Sequence, residues 1–132
     1  MQNWVKKLQA NGGTNPKYGL EIANKKLSKL NDTNPKYVIL FTDGEPTGDG
    51  SSANTWSTPA QQNAENEASA IKTAGMTVYT IGFALTDKAS TFLSGGTYSG
   101  EKYPGIASPG CAFEVDDMDG LMEIFKAIQS TI

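Results

Sequence analysis

The chain contains no histidine, no arginine, one cysteine and no long apolar run. The missing histidine excludes Ser-His-Asp and Cys-His catalysis, zinc sites that need imidazole, and the usual general base at neutral pH. All 11 basic residues are lysine, so the planar guanidinium fork that reads phosphate and guanine is missing too. With no basic block and a net charge of −3, nucleic acid is not an expected partner. Cys111 has no second cysteine in the chain to pair with, which leaves the redox compartment open; it reads as a small buried apolar residue. No stretch approaches the roughly 20 apolar residues of a membrane helix, so no membrane insertion is expected. Met1 to Lys7 lacks the apolar core of a secretion signal.

What is present fits one domain over residues 1–132, with ordinary apolar and charged content for a globular chain. Trp4, Val5 and Leu8 suggest the last turns of a helix closed by Asn11-Gly12-Gly13. Asn15 and Pro16 are an N-cap and first helical residue, and Leu20, Ala23, Leu27 and Leu30 follow at helical spacing up to Asn31. Tyr37 to Thr42 is a continuous apolar run ending at Asp43-Gly44, the pattern of a strand covered on both faces and central in a parallel sheet. Glu45 to Ser57 reads as a long surface loop. Thr58-Pro59-Ala60-Gln61 then matches a capping box ahead of an Ala60, Ala64, Ala68, Ile71 and Ala74 stripe that Gly75 ends.

Thr77 to Leu85 is β-rich, a short helix is expected around Lys88 to Leu93, and Ser94 to Gly110 reads as turn and loop. Ala112 to Val115 gives a short strand, and the last helix has an aspartate cap with Leu121, Ile124, Phe125 and Ile128 on one face. Strands alternating with helices predict an α/β fold with a doubly wound parallel sheet.

In such sheets ligands bind outside the carboxyl ends of the strands, which marks Asp43, Thr86-Asp87 and Asp116-Asp117. Asp43, in Thr42-Asp43-Gly44-Glu45-Pro46-Thr47, is a carboxylate able to hold a hard cation directly or through water; a turn-capping role is the alternative. Asp116, Asp117 and Asp119 fit a helix cap and first-turn charges better than ligands. In Gly12-Gly13-Thr14-Asn15 a hydroxyl stands where a loop opens onto a helix N-terminus.

These motifs together resemble the von Willebrand factor A (vWA) family. Gly-Gly-Thr-Asn opening a helix, an apolar strand ending Thr-Asp-Gly, the strand Thr77 to Leu85, and a closing helix with Leu121 and Phe125 follow the family's order over essentially the whole chain. Ile39 to Thr47 looks most like bacterial surface and pilus-associated members. The resemblance implies a Rossmann-like fold and a non-enzymatic adhesion module, extracellular or on a cell surface. Its partner would be a protein ligand such as a host or extracellular-matrix protein. It also implies a metal-ion-dependent adhesion site for Mg²⁺ or Mn²⁺, with Thr14 as the threonine ligand and Asp43 as the aspartate acting through water. The family's Asp-x-Ser-x-Ser motif is absent from these residues. Asp49 to Ala53 only imitates it, since Ala53 replaces the second serine. The site is therefore expected to be partial, with weak or no metal binding by this chain alone, because a cation seeking about six oxygens would keep mostly water.

An EF-hand fails on the same loop, since Pro46 interrupts it and Asn54 stands where the bidentate glutamate belongs. A second class of function is a Mg²⁺-dependent phosphohydrolase of haloacid-dehalogenase type. There Asp43 would be the nucleophile, with Glu45, Thr47 and Asp116-Asp117 supporting it. The vWA sheet order implies that this chain holds only the later half of the sheet. Tyr37 to Thr42 would then be an open edge, expected to pair with a second copy as a homodimer or with an absent amino-terminal part.

Overall fold

The computed structural model describes residues 13–42, 45–48 and 55–132. The helix expected around Trp4, Val5 and Leu8 lies outside them. Asn15 caps α1 (Pro16–Leu27), its side chain accepting from Lys17 N at 3.2 Å. Ser28 is its C-cap, so α1 stops short of Leu30, which is exposed rather than part of the buried stripe. β1 (Tyr37–Thr42) follows, and then α2 (Thr58–Thr73). The N-cap of α2 is Ser57, whose hydroxyl accepts from Ala60 N at 3.3 Å. The expected cap at Thr58 is one residue too late, because either hydroxyl satisfies the same local rule. Past the end of α2, Gly75 takes φ +81, the left-handed conformation that lets the chain turn into β2 (Thr77–Phe83).

α3 (Asp87–Ser94) is capped by Thr86, which accepts from Ala89 N. Ser94 to Gly110 is not only loop: β3 (Gly96–Tyr98) and β4 (Glu101–Tyr103) form an antiparallel hairpin. Ser99 and Gly100 turn it with φ of +50 and +85, the paired positive values that match strand twist. β5 (Ala112–Val115) and α4 (Met118–Thr131) close the chain, with Asp117 capping α4 through Gly120 N at 2.7 Å.

Among the described residues the fold is mixed α/β, with a three-stranded parallel sheet in the order β1-β2-β5 and helices on both faces. β2 is the central strand, and Val78, Tyr79, Thr80 and Ile81 are all buried. On one face Val38 and Val78 pack with Leu20 of α1, Ile71 of α2 and Phe92 of α3. On the other, Tyr79, Ile81 and Val115 pack with Leu121 and Ile128 of α4.

Two expectations fail on that second face. Among the described strands β1 is an edge, as the vWA sheet order implied, and it is not the central strand covered on both sides that its apolar run suggested, since Ile39 and Phe41 are 41% and 51% exposed. Phe125 is 41% exposed and not in the core with Leu121. Apolar character records what a strand or helix can bury; it does not say that a covering element is present. Cys111 is half-buried rather than buried.

Thr80 is fully buried, and its hydroxyl has no hydrogen-bond partner. A buried hydroxyl without a partner keeps its full desolvation cost, so Thr80→Val should stabilise the fold by about 1 kcal/mol. Urea unfolding midpoints measure this, and a lower midpoint in the variant would mean that the hydroxyl is satisfied.

Candidate metal centre

Three segments meet at the carboxyl end of β1 and β2. The first, 13–15, carries Thr14, whose backbone is bonded to the second, 45–48, in both directions. Thr14 N donates to Thr47 Oγ1 at 2.8 Å, and Thr14 O accepts from Thr47 N at 2.9 Å and Gly48 N at 3.1 Å. Gly13 makes this approach possible: a Cβ there would overlap the Gly48 carbonyl oxygen and come within 3.1 Å of Thr47 Oγ1. Pro46 is fully buried, and its carbonyl accepts from Ser57 N at 2.7 Å, which ties the 45–48 loop to the head of α2.

The third segment is the turn after β2. There Thr86 Oγ1 donates to Glu45 Oε1 at 2.7 Å while also capping α3. One hydroxyl thus joins the loop of β1 to the helix after β2. The arrangement is a set of backbone and hydroxyl clamps that holds Thr14 against residues 45–48 and these against Thr86.

Asp43 and Gly44 lie outside the described residues, as do Asp49 to Ala53. Of the expected ligand pair, Thr14 is placed and Asp43 is bracketed by Thr42 and Glu45. The Thr47 hydroxyl, bonded to Thr14 N, entered the sequence reading only in the phosphohydrolase alternative and not as part of the metal site. Its signal was a hydroxyl one residue past Pro46 in a loop leaving a buried strand.

The acids after β5 stand apart from this cluster. Asp117 is committed to capping α4, and Asp116 is exposed. With Glu114 and Glu123 they line a cleft of about 440 Å³ at the head of α4. Ser90 Oγ donates to Glu114. Since β2 stands between β1 and β5, the chain leaves the two strands about 10 Å apart, two strand spacings. That separates Asp116 and Asp117 from the Glu45 loop, with which a phosphohydrolase would have to share one cation. Among the described residues no three His, Cys, Asp or Glu side chains group to hold a metal. No described helix is long and apolar enough to cross a membrane.

The family model for the von Willebrand factor type A domain matches residues 1–127. No curated protein and no solved structure matches the chain.

Proposed function

The chain belongs to the von Willebrand factor type A domain family, and from that premise we propose that it is a non-enzymatic adhesion module carrying a partial metal-ion-dependent adhesion site at Thr14 and Asp43. Domains of this family act generally as protein-interaction modules. The observation that carries the reading is the clamp between Thr14 and Thr47-Gly48. It holds a hydroxyl-bearing residue at the head of α1 against residues 45–48, which follow Asp43 by two positions in the sequence.

A hydroxyl and a carboxylate are the hard oxygen donors that Mg²⁺ and Mn²⁺ take, so the residues fit such a cation. They supply too few oxygens to hold it tightly. When bound, the metal would offer an open position to a carboxylate of the partner. Residues 1–132 are read as one partial domain of this type, from a bacterial surface or pilus-associated protein acting outside the cell. Its protein ligand would be of host or matrix origin.

Calorimetric titration with Mg²⁺ and Mn²⁺ tests the site. Binding should be weaker than about micromolar, and Asp43→Ala should abolish it with the circular dichroism spectrum unchanged, since Asp43 follows the last residue of β1. A micromolar or tighter site in the unaltered chain would contradict the half-site. An unfolded Asp43→Ala would assign Asp43 a structural role instead.

A further inference from the structure

Among the described residues Glu65 is the one charged side chain that is buried. Its carboxylate accepts from Gln61 Nε2 at 3.2 Å, one turn back on α2, and Gln61 Oε1 accepts from Trp56 Nε1 at 2.8 Å. An indole N–H can only donate, so Trp56 decides which end of the Gln61 amide faces it. The N–H end is then turned toward Glu65. The three groups make one directed relay from ring to carboxylate.

Trp56 also joins the parts that build the candidate site. Its ring meets Phe92 edge-on and has the Lys88 ammonium 3.9 Å from its centroid. The next residue, Ser57, bonds Pro46 O, and Thr86, two residues before Lys88, holds Glu45 and caps α3 through Ala89 N. Trp56 and Lys88 therefore flank the 45–48 segment, each one or two residues from a bond into it.

No ammonium offsets the charge of Glu65: among the described residues it is in no ion pair. The Tyr103 hydroxyl of β4 senses its charge and that of Glu101, to which it donates at 3.4 Å. Lys72, two turns along α2, is bonded to Gly105 O and Ala107 O. α1 meets α2 at Glu67, which accepts from Asn24 Nδ2 at 2.8 Å. Burial pushes the Glu65 carboxyl above its ordinary value, and the bond from Gln61 opposes this in part.

We propose that the Glu65–Gln61–Trp56 relay is a pH-sensitive latch on the candidate site, in which ionised Glu65 tightens the hold of the Trp56 ring on Lys88 and protonated Glu65 slackens it. A charged acceptor makes a hydrogen bond roughly twice as strong as a neutral one, and bonds in a chain polarise one another. The carboxylate draws on the Gln61 amide, whose Oε1 then draws harder on the indole N–H, and the ring facing Lys88 becomes more negative. Protonation removes that pull. The first turn of α3, with Thr86 and its bond to Glu45, then loses part of its anchor. For stability the sign is opposite: the fold favours neutral Glu65, so that contribution is present below the unfolded-state value and lost as pH rises through the raised one. Through Glu65, acid steadies the fold while it loosens this joint, and that opposition separates the latch from acid unfolding. The inference uses the clamp geometry and not the metal, so its failure would leave the metal reading untouched.

Nuclear magnetic resonance from about pH 4 to about pH 8, a range that brackets a raised carboxyl, tests it. The chain has two tryptophans, and Trp4→Phe assigns the Trp56 indole signal. As pH falls, the Trp56 indole proton should move upfield with one midpoint above the ordinary glutamate value. The Lys88 ε-methylene protons, held upfield by the ring at neutral pH, should move toward the ordinary lysine position at the same midpoint. Protection of the Ala89 amide should fall by about twofold, a fraction of a cation–π contact. In Glu65→Gln none of the three should titrate, and the urea midpoint should rise at neutral pH and by less as pH falls. Gln61→Met keeps Glu65 and cuts the relay, so there the Trp56 proton should not titrate. A Trp56 proton that does not titrate in the unaltered chain overturns the proposal. So does one that titrates unchanged in Glu65→Gln, which would make Glu45 or Asp87 the source, or unchanged in Gln61→Met. Lys88 methylenes at the ordinary position at neutral pH, or Ala89 protection that ignores the titration, overturn it as well.

Discussion

Gly13→Ala should cost about 2–3 kcal/mol and release the 45–48 loop from Thr14, the cost expected when a methyl is forced against backbone that cannot turn aside. The added Cβ would meet the Gly48 carbonyl oxygen and carbon, with Thr47 Oγ1 at 3.1 Å, and none of these is the far end of a flexible side chain. Relief comes only by parting the two loops. That breaks the Thr14 N to Thr47 Oγ1 bond and both bonds into Thr14 O. Urea unfolding measures the stability change, and hydrogen exchange of the Thr47 and Gly48 amides measures the loop; both amides should lose protection. Any Mg²⁺ or Mn²⁺ affinity should fall with them. Gly19→Ala is the control: nothing lies within 4 Å of its Cβ, and it sits inside α1, so alanine should stabilise by about 0.5–1 kcal/mol. Unchanged stability and unchanged Thr47 and Gly48 exchange in Gly13→Ala would show that the two loops do not meet, and the candidate site would lose its placed half.

That clamp shows where sequence reading reaches and where it stops. The elements were legible because their signals are local: Asn15-Pro16 at the head of α1, the alanine stripe of α2 closed by Gly75, the β-branched run of β2. The hairpin β3–β4 was missed because three-residue strands hold too few alternations to register. Its one local mark was Ser99-Gly100 between Tyr98 and Glu101. The bonds that build the site span much of the chain. Thr14 to Thr47 is separated by 33 residues and Thr86 to Glu45 by 41, and no periodicity encodes such polar pairs. Thr14 was marked by its place in a loop opening onto a helix N-terminus, and its pairing with Asp43 came through resemblance to a family.

β1 is the more instructive case. Its unbroken apolar run correctly predicts a strand fit for two covered faces, and the sheet leaves one of those faces partly bare. The same holds for Phe125, at a spacing that fits the buried side of α4 yet 41% exposed. Both residues border the same open trough. Ile39 and Phe125 line one cleft, so there the apolar pattern records a capacity for burial that the described residues do not fill.

Phe92→Ala should destabilise the fold by about 3–5 kcal/mol, while Phe125→Ala in the monomer should cost less than about 1 kcal/mol. Phe92 is 1% exposed and meets Trp56 edge-on, with ring centroids 5.7 Å apart and planes at 82°. It also anchors backbone: Ile106 N donates to Phe92 O and Leu93 O, and Ala107 N to Leu93 O, so the chain after β4 is laid onto α3. Lys72 of α2 holds that segment from the other side, its ammonium donating to Gly105 O at 2.9 Å and Ala107 O at 3.2 Å. Removing the ring leaves a cavity that these fixed neighbours cannot close, which places the loss at the upper end for a buried aromatic residue. The effect should reach the candidate site, because Thr86 at the head of α3 holds Glu45. Faster exchange of the Ala89 amide, which Thr86 caps, together with a lower urea midpoint, would record both consequences. Equal losses from Phe92→Ala and Phe125→Ala would show that the face bearing α4 is packed as fully as the face bearing α3, and the open trough beside β1 would not exist.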